Sequence, residues 1–289
     1  MSELRYEAPE ALDAAVALLA GADGEARVLA GGTDIMVQFH YDMIQPDLIV
    51  DIKKIPETQA IEKIDGAWRV GAAAKGMNLV EHEAFNKDWP GVIDGVKLIG
   101  SIQVKGRASM GGNLCNASPA ADSVPPLIAA GVICNIAGPG GERQAPVEDI
   151  VTGPGQTSLK KGEFIVSFSF PAKAARSGDA YQRFIPRTEM DIAVVGVSVC
   201  LTLDKDDTIA AARVVLGAVA PTQLLVQECA DAIIGTKLDD EAVATLSAAA
   251  SAACNPIDDK RGTKEFRIKV AGVLAERVAR DAYERARQS

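Results

Sequence analysis

The sequence is poor in the groups that acid–base and metal chemistry normally use. It holds two histidines, His40 and His82, and neither belongs to an H-x-x-x-H spacing or a histidine–carboxylate cluster. The usual zinc and two-metal patterns are therefore excluded. His40, between Phe39 and Tyr41, is expected to pack. His82, between Glu81 and Glu83, is expected on a solvated helix face. The five cysteines (Cys115, Cys134, Cys200, Cys229 and Cys254) form no C-x-x-C pair, and the count is odd. That fits reduced core cysteines in a reducing compartment better than a disulfide frame, and it argues against an iron–sulfur cluster or structural zinc on this chain. No Ser-His-Asp or Cys-His arrangement is suggested. No G-K-[ST] tract occurs, so there is no P-loop. No G-x-G-x-x-G follows a strand, so there is no Rossmann fingerprint. Gly138-Pro139-Gly140 and Gly153-Pro154-Gly155 lack the third glycine and read as turns.

Positive charge is also short. Lys and Arg number 30 against 39 Asp and Glu, a formal net charge of −9. Nucleic acid and anionic membranes both call for a basic footprint, so neither is expected as a partner. No apolar run reaches the ~18 residues of a membrane span. Met1-Ser2-Glu3-Leu4-Arg5 does not read as a leader. The expectation is a soluble, cytoplasmic protein. With 289 residues, 48% of them hydrophobic, two ordinary cores can be filled.

Two small-residue clusters are present: Ala30-Gly31-Gly32-Thr33-Asp34 and Ser109-Met110-Gly111-Gly112-Asn113. Each pairs adjacent glycines with a short hydroxyl and a short polar residue. Glycine permits φ > 0 and close backbone approach, and successive N–H groups then form an anion-binding nest. Two such loops gripping one diphosphate would need no lysine. A single Gly-Gly pair is ordinarily a tight turn; two of them, each after an apolar stretch, point to a dinucleotide such as FAD. The scarcity of acid–base groups agrees, because a redox cofactor brings its own reactivity.

The remaining pattern separates strands from helices in runs, which favours α+β over a doubly wound sheet. Helices are expected at 10–20, near 79–85, around 127–130, near 222–234, at 240–253 and over 263–287. Strands are expected at 27–30, 48–52, 68–71, 132–137, 164–170, 192–203 and 209–219. Phe164, Val166, Phe168 and Phe170 alternate with period two. The small, polar stretch 172–179 reads as a domain junction. Tyr181, Arg183, Arg187 and Asp191 precede an apolar strand, and spacing alone makes them a surface strand with an Arg–Asp pair.

Taken with Ile99-Gly100-Ser101-Ile102-Gln103-Val104, Ser118-Pro119-Ala120-Ala121-Asp122, Leu216-Gly217-Ala218-Val219-Ala220-Pro221-Thr222, Asp259-x-Arg261 and Phe266-Arg267, these segments resemble the FAD-binding medium subunit of molybdenum hydroxylases. That family includes the carbon monoxide dehydrogenase medium chains and the flavin part of xanthine dehydrogenase. The resemblance covers nearly the whole chain in order. It implies a two-domain α+β flavoprotein, with a vanillyl-alcohol-oxidase (PCMH) type FAD domain at 1–173 and a smaller α+β domain at 178–286. It implies that Val28, Leu29, Ala30, Gly31, Gly32, Thr33, Asp34 and Ile35 wrap the diphosphate and ribityl chain. Ser109, Met110, Gly111, Gly112 and Asn113 would hold the diphosphate from the other side. Asp122 would bond cofactor hydroxyls, Ile99 would pack near the isoalloxazine, Ile165 would line the adenine end, and Tyr181 would stand by the ring. Arg183 occupies a place where many members carry lysine; its planar fork is not equivalent to an ammonium. No residue of the chain is implied as catalytic. Molybdopterin and [2Fe–2S] clusters would lie on a large and a small partner subunit, in a dimer of heterotrimers. Electrons would pass from those clusters through this flavin to NAD, a quinone or oxygen. The alternatives are a self-contained flavin oxidase and a scaffold that has lost its cofactor.

Overall fold

A computed structural model describes residues 4–187 and 190–289; the start of the segment read above as lacking a leader, residues 1–3, lies outside the described residues. The chain opens with β1 (Arg5–Glu7), α1 (Leu12–Ala20), β2 (Ala26–Leu29), α2 (Ile35–His40) and β3 (Leu48–Asp51). Both β1 and β2 pair parallel with β3, giving a three-stranded sheet of order β1-β3-β2. All of β3 is buried, as expected of a central parallel strand. The turn after β2 carries the first glycine cluster.

A second sheet follows, with β4 (Ile61–Ile64) and β5 (Ala67–Gly71) before a helical stretch. The helices are α3 (Gly76–Val80), α4 (Glu83–Asp88), α5 (Pro90–Lys97), α6 (Ile102–Lys105), α7 (Met110–Cys115) and α8 (Val124–Ala129). Then come β6 (Ile133–Gly138), β7 (Gly141–Pro146), the short pair β8 (Val151–Gly153) and β9 (Gln156–Thr157), and β10 (Phe164–Phe170). The sheet is antiparallel with order β4-β5-β10-β6-β7. Its main core joins Trp68, Phe85, Trp89, Leu127, Ile136, Phe168 and Phe170 with the helices. Phe85 meets Trp68 and Phe170 edge-on, at 5.3 and 5.2 Å between ring centres, a favoured aromatic geometry.

Beyond residue 176 the chain forms β11 (Ser177–Phe184), β12 (Val195–Leu203), β13 (Ile209–Gly217) and β14 (Leu224–Leu225), an antiparallel sheet in sequence order. Then come α9 (Gln227–Asp231), α10 (Asp240–Ala253) and α11 (Lys264–Gln288). Helix α11 packs on β11 and β12, while α5 and α8 reach β11–β13 from the first part of the chain. β12 is buried along nearly its full length.

Several sequence expectations need correcting. The stretch expected at 79–85 is two helices, because the His82 imidazole Nδ1 accepts the Phe85 N–H and starts α4 there. His82 also meets the Trp68 ring edge-on, so it does more than cover a solvated face. His40 is exposed at the end of α2 rather than packed. β10 has the expected alternation, yet both of its faces are covered. Ser167 is buried because Arg69 and Asn135 donate to its hydroxyl. Of the stretch 172–179, residues 177–179 already belong to β11. Gly178 has no side chain because α11 presses on it, not because the chain is free. A Cβ on Gly178 would lie 2.1 Å from the Ala282 carbonyl oxygen.

Candidate functional site

The first glycine cluster lies where β2 runs out of the sheet. Gly32 has φ of +75°, a conformation that disfavours any residue with a Cβ. Among the described residues, none of the five backbone N–H groups from Gly31 to Ile35 donates to a protein acceptor. The carbonyl groups of the same loop are used. Gly32 accepts from Met36 N–H, and Asp34 accepts from Val37 and Gln38 N–H. Free donors beside occupied acceptors are what a backbone nest needs to take an anion. Lys53, which sequence reasoning missed, braces the entry: its Nζ donates to Ala30 O at 2.9 Å and to Asp51 Oδ2 at 2.7 Å. The available signal was a buried strand ending in Asp51-Ile52-Lys53.

The second cluster is adjacent in space. A Cβ on Gly31 would sit 2.0 Å from Arg107 O and 2.9 Å from Ala108 Cα, so the loop lies directly against the residues that lead into Ser109. Gln38 Nε2 donates to Asn116 Oδ1 at 3.2 Å and ties α2 to the end of α7. The second loop does not mirror the first. Ser109 caps α7 by accepting the Gly112 N–H at 3.1 Å; Gly111 donates to Ala72 O, and Asn113 to Ser109 O. The N–H groups of Gly111, Gly112 and Asn113 are thus already taken, by the Ala72 carbonyl, the Ser109 cap and the Ser109 carbonyl, whereas those of the first loop are not. Gly111 is obligatory for another reason: its Cβ would lie 2.4 Å from Ala72 O. Met110, 1% exposed, is core. Gly112 is exposed and Asn113 half-buried.

Asn113 links this loop to the third cluster. Its Oδ1 accepts from Ser123 N–H and Ser123 Oγ, at 3.2 and 2.7 Å. The neighbouring Asp122 is 7% exposed. Tyr181 Oη donates to Asp122 Oδ1 at 2.8 Å, and Arg183 pairs with Oδ2. Burial pushes the Asp122 carboxyl up to about 6, against the pull of Arg183 and Tyr181. The Arg183 side chain is 4% exposed, and its buried Nε has no protein partner.

The other expected site residues fall as follows. Val28 and Leu29 are half-buried on β2, and Ile99 is half-buried in the turn after α5. Ile165 is 3% exposed within the main core; it backs the sheet instead of lining an opening. Tyr181 is equally enclosed, and a Cβ on Gly196 would come within 2.7 Å of its hydroxyl. Arg187 and Asp191 do pair, at 3.3 Å. Among the described residues no cluster of three or more metal-ligating side chains occurs, and all five cysteines are free thiols. Cys134 and Cys229 are core, while Cys115 is exposed.

Residues 2–173 match the family described as the FAD binding domain in molybdopterin dehydrogenase, and residues 180–282 the CO dehydrogenase flavoprotein C-terminal domain. The carbon monoxide dehydrogenase medium chain of Hydrogenophaga pseudoflava is 30% identical over 280 residues, 97% of each chain. A xanthine dehydrogenase FAD-binding subunit of Escherichia coli is 29% identical over 279 residues, 96% of this chain and 95% of that one. Among solved structures, a chain of the reconstituted CO dehydrogenase from Oligotropha carboxidovorans superposes with a TM-score of 0.93 at 28% identity, covering 98% of both chains.

Proposed function

The chain belongs to the family of FAD-binding domains of molybdopterin dehydrogenases, and from that premise we propose that it carries electrons within a molybdenum hydroxylase complex. As a medium, FAD-binding subunit it is an oxidoreductase component. In our reading the electrons arrive from iron–sulfur clusters on a small partner subunit, after substrate oxidation on a large molybdopterin subunit, and leave to an external acceptor. Two domains, 1–173 and 178–286, divide the work. When bound, FAD supplies the electron uptake and release that no side chain of the chain can perform.

The observation that carries the reading is the free-amide run of Gly31 to Ile35 held against Arg107 and Ala108. It fits a diphosphate in a chain of net charge −9, because fixed N–H dipoles attract phosphate locally without a basic field. Val28, Leu29 and Ala30 deliver the loop, and Thr33 and Asp34 add short polar groups beside it. Ser109, Gly112 and Asn113 supply the facing wall. Asp122 and Arg183 orient the polar middle of the cofactor, and the unpartnered Arg183 Nε is a donor for it. Ile99 supplies apolar contact. Ile165, Met110, Gly111 and Tyr181 support these from behind.

The test is direct. The purified full-length chain is expected to be yellow, or to become so with FAD, and to release FAD on denaturation. A colourless protein that FAD does not reconstitute overturns the reading. Turnover of a simple organic substrate by this chain alone would favour a self-contained oxidase.

A further inference from the structure

The segment Ser118–Asp122 belongs to the first part of the chain, yet it is held from the second at both of its ends. At one end, Gln223 Nε2 donates to Ser118 O at 2.9 Å and to Pro119 O at 3.1 Å. The Ala218 N–H also donates to Pro119 O, at 2.8 Å. Ala218 makes this bond with φ of +63°, a left-handed conformation costly for alanine. Arg267, itself 4% exposed, accepts the strain by donating to Ala218 O and Val194 O, at 3.2 and 2.8 Å. At the other end, Tyr181 and Arg183 of β11 hold the Asp122 carboxylate. Just before the segment, Ala117 is also left-handed, with φ of +52°, and its carbonyl accepts the Gly155 N–H.

We infer that Tyr181 and Gln223 are positioning residues for the flavin site: from the second domain, without touching the cofactor, they fix the segment that presents Asp122 and braces Asn113. The inference rests on the reading that FAD lies against that segment. Gln223 is buried, at 9% exposure, and reaches across 104 and 105 residues of sequence to its two acceptors. Both acceptors keep another donor without it, Ala121 N–H for Ser118 O and Ala218 N–H for Pro119 O. Its loss therefore orphans no buried group; it removes a restraint on the loop. Tyr181 acts differently. Its hydroxyl is one of two donors on a buried carboxylate, the other being Arg183. From α5, Asp94, paired with Arg285, faces the Tyr181 N–H.

The two residues give separable signatures. Tyr181→Phe removes a donor to the ionised Asp122, so its carboxyl must rise beyond about 6. Gln223→Met keeps the side-chain size and removes the donor. The full-length chain, stripped of FAD, is titrated with FAD by flavin fluorescence between pH 5 and 8. Visible circular dichroism of the bound flavin and thermal unfolding of the apo-protein are recorded in parallel. We expect Gln223→Met to weaken FAD roughly fivefold or more at every pH and to change the flavin dichroism, with apo-protein unfolding unmoved. We expect Tyr181→Phe to move the pH at which FAD is lost upward. Gly32→Val and Asp122→Asn serve as probes of the underlying reading. Wild-type affinity, dichroism and pH profile in both Tyr181→Phe and Gln223→Met, with FAD lost in Gly32→Val and Asp122→Asn, overturns the positioning role alone. Retention in all four overturns the site itself. If one positioning variant fails to fold, the other decides.

Discussion

Replacing Gly31 by alanine tests the contact on which the flavin cradle depends. The new Cβ would stand 2.0 Å from Arg107 O and 2.6 Å from Arg107 C. Ordinary contact begins at 3.4 Å, so the two loops must part by about 1.4 Å. The obstacle is backbone, which cannot swing aside as a side-chain tip can. Overpacking of this kind costs roughly 1–3 kcal/mol of stability. A shift of that size also takes at least one amide of the Gly31–Ile35 run out of reach of a phosphate oxygen. A hydrogen bond to a charged group is worth about 1.5–3 kcal/mol, so FAD affinity should fall roughly 10- to 100-fold. Gly112→Ala is the comparison, since its Cβ would meet only Ser109 Oγ, at 3.3 Å; it should weaken FAD much less. Fluorescence titration of the apo-proteins gives the affinities, and thermal unfolding gives the stability cost. A folded Gly31→Ala protein that binds FAD as the wild type does would refute the argument that the two loops close on one ligand.

Two further outcomes concern the frame. Asp179 is buried, accepts the Gly91 and Val92 N–H groups at 2.8 and 3.2 Å, and pairs with Lys173 at 2.7 Å. Asp179→Ala strands that lysine and uncaps α5 across the junction, so chemical denaturation should show a loss of about 3–5 kcal/mol; an unchanged midpoint would mean the junction is not coupled to folding. Glu163 is held down to about 2 by the Arg143 guanidinium, with the Lys160 N–H assisting, against an ordinary value of 4.5. A depressed acid stabilises the fold above its unfolded value, and that contribution disappears as pH falls from about 4.5 towards 2. With Arg143 a third exposed, Glu163→Gln should cost only about 1 kcal/mol at neutral pH. The gap between the two proteins should shrink from about pH 4.5 and close as pH falls through about 2 in acid-unfolding curves, and a gap of constant size over that range would exclude this pair as its source.

The site was partly legible from the residues because its first loop is a backbone device. Gly31-Gly32 after an apolar strand states a local conformation, and local conformation is what a sequence encodes most directly. The apolar periodicity of α1, α10 and α11 and the runs of β3, β12 and β13 were legible for the same reason. The second loop was misread because its amides look identical in sequence to those of the first; only the folded chain shows that the Ser109 cap and the Ala72 carbonyl take those of Gly112 and Gly111. Gly178 misled in the same way, since a glycine pressed by a helix and a glycine in a linker are the same letter.

By its composition and local pattern alone, the chain determined that it would build mixed helix and sheet and turn through the glycine pair after β2. Only the tertiary structure decided that Gly31 rests on Arg107, that Asp122 is enclosed by Tyr181 and Arg183, and that Gln223 reaches the loop at Ser118. Those pairings join residues up to about a hundred positions apart. They depend on how the sheets and helices stack, and no stretch of sequence short enough to be read locally contains both partners.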